Sequence, residues 1–176
     1  MALFGKEIET MHDLFTHLMR DMYYAEKQIE KALPDMVEKA TSQELKAAFS
    51  DHLQQTHEHV ARLERAFELH GQKAKAIDCP AIDGILKEAK DVAADIADKR
   101  VLDAGLIAMA QAVEHYEMAR YGTLVAWGKE LGHREIVELL SKTLEEEHEA
   151  DEKLTDLAEG SVNVAAAEGA HRAAAE

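Results

Sequence analysis

The sequence predicts an all-α protein, a bundle of four long helices with one long crossover between the second and the third. Three observations carry this. Proline and glycine are sparse, 2 and 9 residues in 176. Between them, apolar residues recur in steps of three and four, the spacing of a buried helix face. Two of the connections are short and one is long, so helices 1 and 2 pair as a hairpin, and so do helices 3 and 4.

Each element has its own punctuation. "TMHD" at 10–13 has the form of a capping box and opens helix 1, which runs to about residue 39. Pro34 lies inside it and lacks a backbone donor, so a kink or a tightened turn is expected there. "TSQE" at 41–44 repeats the capping pattern for helix 2, and Gly71 closes it. Residues 72–98 form the crossover, whose segment "ILKEAKDVAADIA" reads as a short amphipathic helix. Helix 3 spans about 99–131 and stops at Gly132; helix 4 spans about 133–159 and stops at Gly160. Residues 1–160 make one helical domain, and the small-residue tail 161–176, "SVNVAAAEGAHRAAAE", is expected to fray.

Composition excludes several classes of function. A formal charge of −15 argues against nucleic acid and against anionic membrane surfaces, since both need a basic footprint. No apolar run approaches the roughly 20 residues of a membrane span. The start, "MALFGKEIETMHD", lacks the cationic and apolar regions of a signal peptide. Cys79 is the single cysteine, which rules out an internal disulfide and fits a reducing compartment. The cytoplasm is the expected location. The chain has no Ser-His-Asp pattern, phosphate loop or Cys-x-x-Cys.

The informative feature is where the apolar stripes fail. Helix 1 reads Phe15, Leu18, Met22, Glu26, Ile29, Leu33, Met36, and helix 2 reads Leu45, Phe49, His52, Thr56, His59, Leu63, Ala66. Helix 3 reads Leu106, Ala110, Val113, Glu117, Tyr121, Leu124, with Glu114 one turn before Glu117 on the same side. Helix 4 reads Leu140, Leu144, Glu147, Asp151, Leu154, Ala158. Each stripe breaks once, near the middle of its helix. Antiparallel helices of similar length bring their middles to one level, so the four breaks converge.

Glu26, Glu114, Glu117, Glu147 and Asp151 cannot all sit ionised and unpaired in an apolar interior, where each would cost several kcal/mol. Lys and Arg are missing from these stripes, which leaves protonation or divalent cations. Two cations supply four positive charges against five negative ones. Carboxylates mixed with imidazoles suit iron first, or manganese or zinc, better than calcium. A bundle core built this way, with one long crossover, is the ferritin-like di-metal arrangement.

The chain resembles the YciE/YciF family of bacterial ferritin-like stress proteins from about residue 10 to about residue 160. The resemblance rests on "YYAEKQIEKALP" (23–34), "AFSDHLQQTHEHVARLE" (48–64), "CPAIDGIL" (79–86), "AQAVEHYEMARYGTL" (110–124) and "KTLEEEHEADEKLTDLA" (142–158). It implies a rubrerythrin-like bundle and a stress-linked role, without a settled reaction. Glu114 and Glu117 resemble the Glu-x-x-Glu of rubrerythrin's third helix, and Glu26 sits where a ferritin-like first-helix glutamate would. Helix 2 departs from the pattern. Relatives tend to be acidic at the "QQ" of "HLQQTHEH", where this chain has Gln54 and Gln55. Gln55 offers only an amide oxygen, and His59, one turn on, is the better ligand. The expected metal set is therefore Glu26, Gln55, His59, Glu114, Glu117, Glu147 and Asp151.

Other candidates read more plainly. His52 is expected to orient a carboxylate or to bond Thr56. Glu145 and His148 spell Glu-x-x-His but lie about a quarter turn off the stripe, on a solvated face, and His57 and His115 also point away. Tyr121 reads as core packing, and Cys79 as buried. Two functions follow. One is a di-metal protein reacting with peroxide or oxygen, or oxidising iron, and dependent on an external electron donor. The other is a metal-poor helical stress protein acting through dimerisation or partner binding. Leu69, Val125 and Trp127 suggest leftover apolar surface, hence a homodimer. Nothing resembles the fifth helix of a ferritin cage, so no 24-subunit shell is expected.

Overall fold

The computed structural model describes residues 8–173, all of whose regular structure is helical. The elements are α1 (Met11–Lys39), α2 (Gln43–Leu69), α3 (Pro80–Asp95), α4 (Lys99–Glu130) and α5 (Arg134–Leu157). A five-residue π-helical turn (Ala158–Val162) then leads into α6 (Asn163–Ala173). Local chemistry sets these limits. Thr10 and Asp13 close a reciprocal capping box on α1, and Ser42 caps α2 through the amide of Leu45. Gly71 and Gly132 adopt positive φ, 70° and 76°, and so turn the chain out of α2 and α4. α1 runs through Pro34 as one helix.

α1 packs against α2 and α4, and α5 packs against α4 and α2. The contacts along each pair give its direction. Phe15, near the start of α1, lies by Gly128 at the end of α4, whereas Thr41 bonds Asp103 at the other end. Asp51 pairs with Lys153 while Arg62 reaches Thr143 and Glu146. All four neighbouring pairs are antiparallel. The connection from α2 to α4 must therefore travel the length of the bundle, and it does so as an extended stretch followed by α3, laid on α1 and α4.

Asp103 fixes the far end. Its carboxylate is 5 % exposed and accepts from the amides of Thr41 (2.7 Å) and Ser42 (2.9 Å) and from the Thr41 hydroxyl. An anion there also suits the start of α2. The core is apolar above and below the bundle middle, with Phe15, Phe49, Phe67, Leu63, Leu124 and Leu140 fully enclosed. Each such side chain contributes roughly 1.5–3 kcal/mol on burial.

Two expectations change. Residues 163–173 are helical where a frayed tail is predicted. The π turn at Gly160 adds a residue to the coil and re-phases it, so Val162 is buried and α6 lies along α4. Residues 174–176 lie outside the described residues. Val125 is buried within the chain rather than left on the surface, and Leu69 and Trp127 are half-buried against the core.

Candidate metal centre

At mid-height the apolar core gives way to Glu26 of α1, His52 and His59 of α2, Glu114 and Glu117 of α4, and Glu147 of α5. None is more than 6 % exposed. Their potential ligand atoms form two overlapping groups, each within a 4.8 Å span: His52, Glu114, Glu117, Glu147 and Glu26, His59, Glu147. Glu147 belongs to both. Its Oε1 lies 3.0 Å from His59 Nδ1 and its Oε2 lies 4.0 Å from His52 Nε2, so its two oxygens face different groups. His52 Nε2 is 3.4 Å from Glu114 Oε1, and His59 Nδ1 is 3.5 Å from Glu26 Oε1.

The far side of His59 is held from outside. Its Nε2 lies 2.9 Å from Glu146 Oε2, and Glu146 is gripped by the two terminal guanidinium nitrogens of Arg62, with Nη2 at 3.0 Å from Oε1. Arg62 Nη1 also donates to Thr143 (3.2 Å). A proton on Nε2 then serves Glu146 and leaves the Nδ1 lone pair facing the acids. This is how a carboxylate orients a metal-binding imidazole.

Electrostatics show what this arrangement lacks. Burial pushes the Glu117 and Glu147 carboxyls well above the usual carboxylate range, and the charges of neighbouring glutamates add to it. Burial raises Glu114 as well. For His59 burial acts downward, but the nearby Glu26 carboxylate, with Glu117 and Glu146, outweighs it and the net direction is up. Tyr121 is fully enclosed and donates its hydroxyl to Glu26 Oε1. Even so, nine buried atoms of the cluster have no hydrogen-bond partner: Glu26 Oε2, both nitrogens of His52, His59 Nδ1, Glu114 Oε2, and both oxygens of Glu117 and Glu147. Buried polar atoms are rarely left so. A set of carboxylate oxygens and imidazole nitrogens orphaned around a shared carboxylate fits a pair of borderline divalent cations.

The structure brings together five of the seven predicted ligands, Glu26, His59, Glu114, Glu117 and Glu147, and places Asp151 apart from them. Asp151 is one turn beyond Glu147, and four residues advance a helix by about 40° past a full turn. That rotation carries its carboxylate to Gln111 Nε2 (3.1 Å) and to within 3.4 Å of His115, outside the cluster. Gln55, one residue before Thr56, lines a cavity that His52 and Glu114 also line. His52, expected to be a supporting residue, has its ring within the cluster, while the Thr56 hydroxyl donates to the His52 carbonyl (2.9 Å). Arg62, Glu146 and the Tyr121–Glu26 bond go beyond the sequence reading. The first two sit off the stripes and enter only by side-chain reach. Glu145, His148, His57 and His115 point outward as expected, and Cys79 is buried, 3.1 Å from the Tyr116 hydroxyl.

The cavity that Gln55 lines has a volume of about 240 Å³ and walls that include Ile29, Leu33, Phe49 and Val113. His52 and Glu114 stand at its polar end, and Asp51 and Lys153 also line it. This largely apolar cavity reaches one of the two groups, at His52 and Glu114.

Comparison with known proteins agrees with this architecture. Residues 10–167 match the family described as a domain of unknown function, DUF892. Protein YciF of Escherichia coli (strain K12) is 43 % identical over 157 residues, covering 89 % of this chain and 95 % of that protein. The crystal structure of the E. coli stress protein YciF matches with a TM-score of 0.85 over 89 % of this chain and 99 % of that one. YcfI from Rhodopseudomonas palustris is 53 % identical, with a TM-score of 0.84 over 87 % of this chain and 98 % of its own. A Xanthomonas campestris protein, 24 % identical with a TM-score of 0.75, covers 92 % of this chain and 99 % of its own and shares the fold. The chain belongs to the DUF892 family, together with YciF.

Proposed function

We propose that this protein is a di-metal carboxylate protein of the stress response, holding two transition-metal ions, iron foremost, between its two helical hairpins. The nine unpartnered cluster atoms are the observation that carries this reading. Glu26 and His59 would hold one ion, His52, Glu114 and Glu117 the other, and Glu147 would serve both. Such a pair, when bound, supplies two electrons to peroxide or dioxygen, with an external donor restoring them.

The chain's own residues do the rest. Glu146 and Arg62 fix the His59 ring, and Tyr121 fixes Glu26. The largely apolar cavity beside His52 and Glu114 admits a small oxidant while limiting bulk water. A cytoplasmic location and a homodimer belong to the same proposal; among the described residues no helix is long and apolar enough to cross a membrane.

A second reading, a metal-poor structural stress protein, draws on one observation: α2 contributes two imidazoles and no carboxylate to the cluster. YcfI is itself described only as a candidate structural protein. Metal analysis of protein purified without chelator separates the two. Near two equivalents of iron or manganese per chain supports the first reading, and near zero supports the second.

A further inference from the structure

At the end of the bundle away from Asp103, three histidines from three helix ends meet. His12 lies in the first turn of α1, His70 is the residue capping the C-terminus of α2, and His133 precedes α5. The positive-φ turns at Gly71 and Gly132 place the last two. Their ring centroids stand 4.9 Å (His70–His133), 5.4 Å (His12–His133) and 6.3 Å (His12–His70) apart. With zinc–nitrogen bonds of about 2.1 Å, imidazoles converging tetrahedrally on one ion put their centroids about 5 Å apart. Two of the three spacings already match, and His12 is exposed and free to close the third.

Two further observations point to a ligand. His133 Nε2 is buried without a hydrogen-bond partner. The Thr16 hydroxyl donates to the His12 carbonyl (2.8 Å), so it accepts from His70 Nε2 (2.9 Å). That bond fixes the His70 tautomer and leaves Nδ1 with a free lone pair, the service that an outer partner gives a metal-binding histidine. Burial, followed by the nearness of His133 and His12, holds His70 below the ordinary imidazole range. Burial and the nearness of His12 do the same for His133. A solvent-facing cleft lined by Leu69, Gly132, His133, Arg134, Glu135 and Ile136 opens beside His133.

We infer that His12, His70 and His133 form a second metal site, separate from the buried carboxylate cluster, for a late first-row divalent cation such as zinc. The nitrogen-only donor set selects such ions over magnesium, calcium or manganese.

The test uses chelator-stripped full-length protein titrated with cobalt(II), followed by its visible absorption and by proton NMR of the histidine rings. The expected result is one equivalent that is lost in His12→Ala and in His133→Ala while the remaining uptake is unchanged. In the unmutated protein, the ring signals of His12, His70 and His133 should shift together with that equivalent. His12 is exposed, so its variant keeps the test decisive even where His133→Ala folds poorly. Equal cobalt uptake in the unmutated protein and His12→Ala, or ring signals of these three that stay in place, overturns the site. Neither result bears on the buried cluster, which these residues do not touch.

Discussion

Tyr121 of α4 donates its hydroxyl to Oε1 of Glu26 on α1, and both side chains are fully enclosed. The bond ties the two hairpins directly within the cluster. Tyr121→Phe removes it and strands Glu26 Oε1, at a cost of about 1–3 kcal/mol in metal-free protein. Urea unfolding of the chelator-treated variant checks this. A midpoint unchanged from the parent would show that the hydroxyl contributes nothing.

Glu147 serves both ligand groups, whereas Asp151 serves neither. Glu147→Gln should therefore reduce bound metal at both positions, and Asp151→Asn, Glu145→Ala and His148→Ala should leave it intact. Metal content per chain, measured by emission spectrometry on all four variants, decides the matter. Equal loss in Glu147→Gln and Asp151→Asn would mean that α5 is rotated relative to its partners.

The pH dependence of stability has opposite signs with and without metal. Glu117 and Glu147 have folded-state pKa values raised well above 4.5 by burial and by the charges of neighbouring glutamates, Glu147 on Glu117 and Glu114 on Glu147, so the folded state holds protons that the unfolded chain has lost. Stability of metal-free protein then falls as the pH rises from the unfolded carboxylate value through the raised ones. His59, also raised, adds a loss above the ordinary imidazole value. Glu146, lowered on balance by Arg62 and His59 against its burial, acts only on the acid side, where its stabilisation is lost as pH falls. Metal-loaded protein should instead gain stability over the same range, because binding displaces protons. Denaturant midpoints at about pH 5 and about pH 8, with and without chelator, test both signs.

Glu117→Leu separates the two proposed functions by stability alone. In metal-free protein it removes an enclosed, unpartnered carboxyl and should stabilise the fold by roughly 1–4 kcal/mol. In metal-loaded protein it removes a ligand, so the stabilisation conferred by metal shrinks. A variant that melts higher than its parent in the presence of iron or manganese would favour the metal-poor reading.

The expected assembly is a homodimer, twice the 19.6 kDa chain mass by light scattering. Among the described residues the exposed large apolar side chains are Ile8, Met11, Val101 and Val164, too scattered to nucleate a large shell. A particle of several hundred kilodaltons would contradict this.

The helices were legible because their ends carry explicit chemistry: Thr10 with Asp13, Gly71 and Gly132, whereas α2 is capped by Ser42, one residue past the expected Thr41, whose hydroxyl goes to Asp103. The acid cluster was legible because a charge on an apolar stripe has few physical outcomes. Asp151 misled for a geometric reason. A stripe of threes and fours drifts around a straight helix, so a position correct at Glu147 need not be correct one turn later. Arg62 and Glu146 were hidden because long side chains reach a site from outside the stripe. The π turn at Gly160 was hidden too, since glycine there reads as a stop when no alternative phase is considered.

The cluster residues divide evenly between the hairpins: Glu26, His52 and His59 on α1 and α2, Glu114, Glu117 and Glu147 on α4 and α5. This division has a consequence for the order of folding. Contacts within each hairpin are close in sequence and form early, whereas those between hairpins wait for the long crossover to be drawn along the bundle. Neither half alone presents more than three of the six ligands, so metal cannot nucleate the fold. On the proposed reading it would arrive after the halves have met and act as a clasp across them. On the proposed reading, chelation should speed unfolding far more than metal speeds folding.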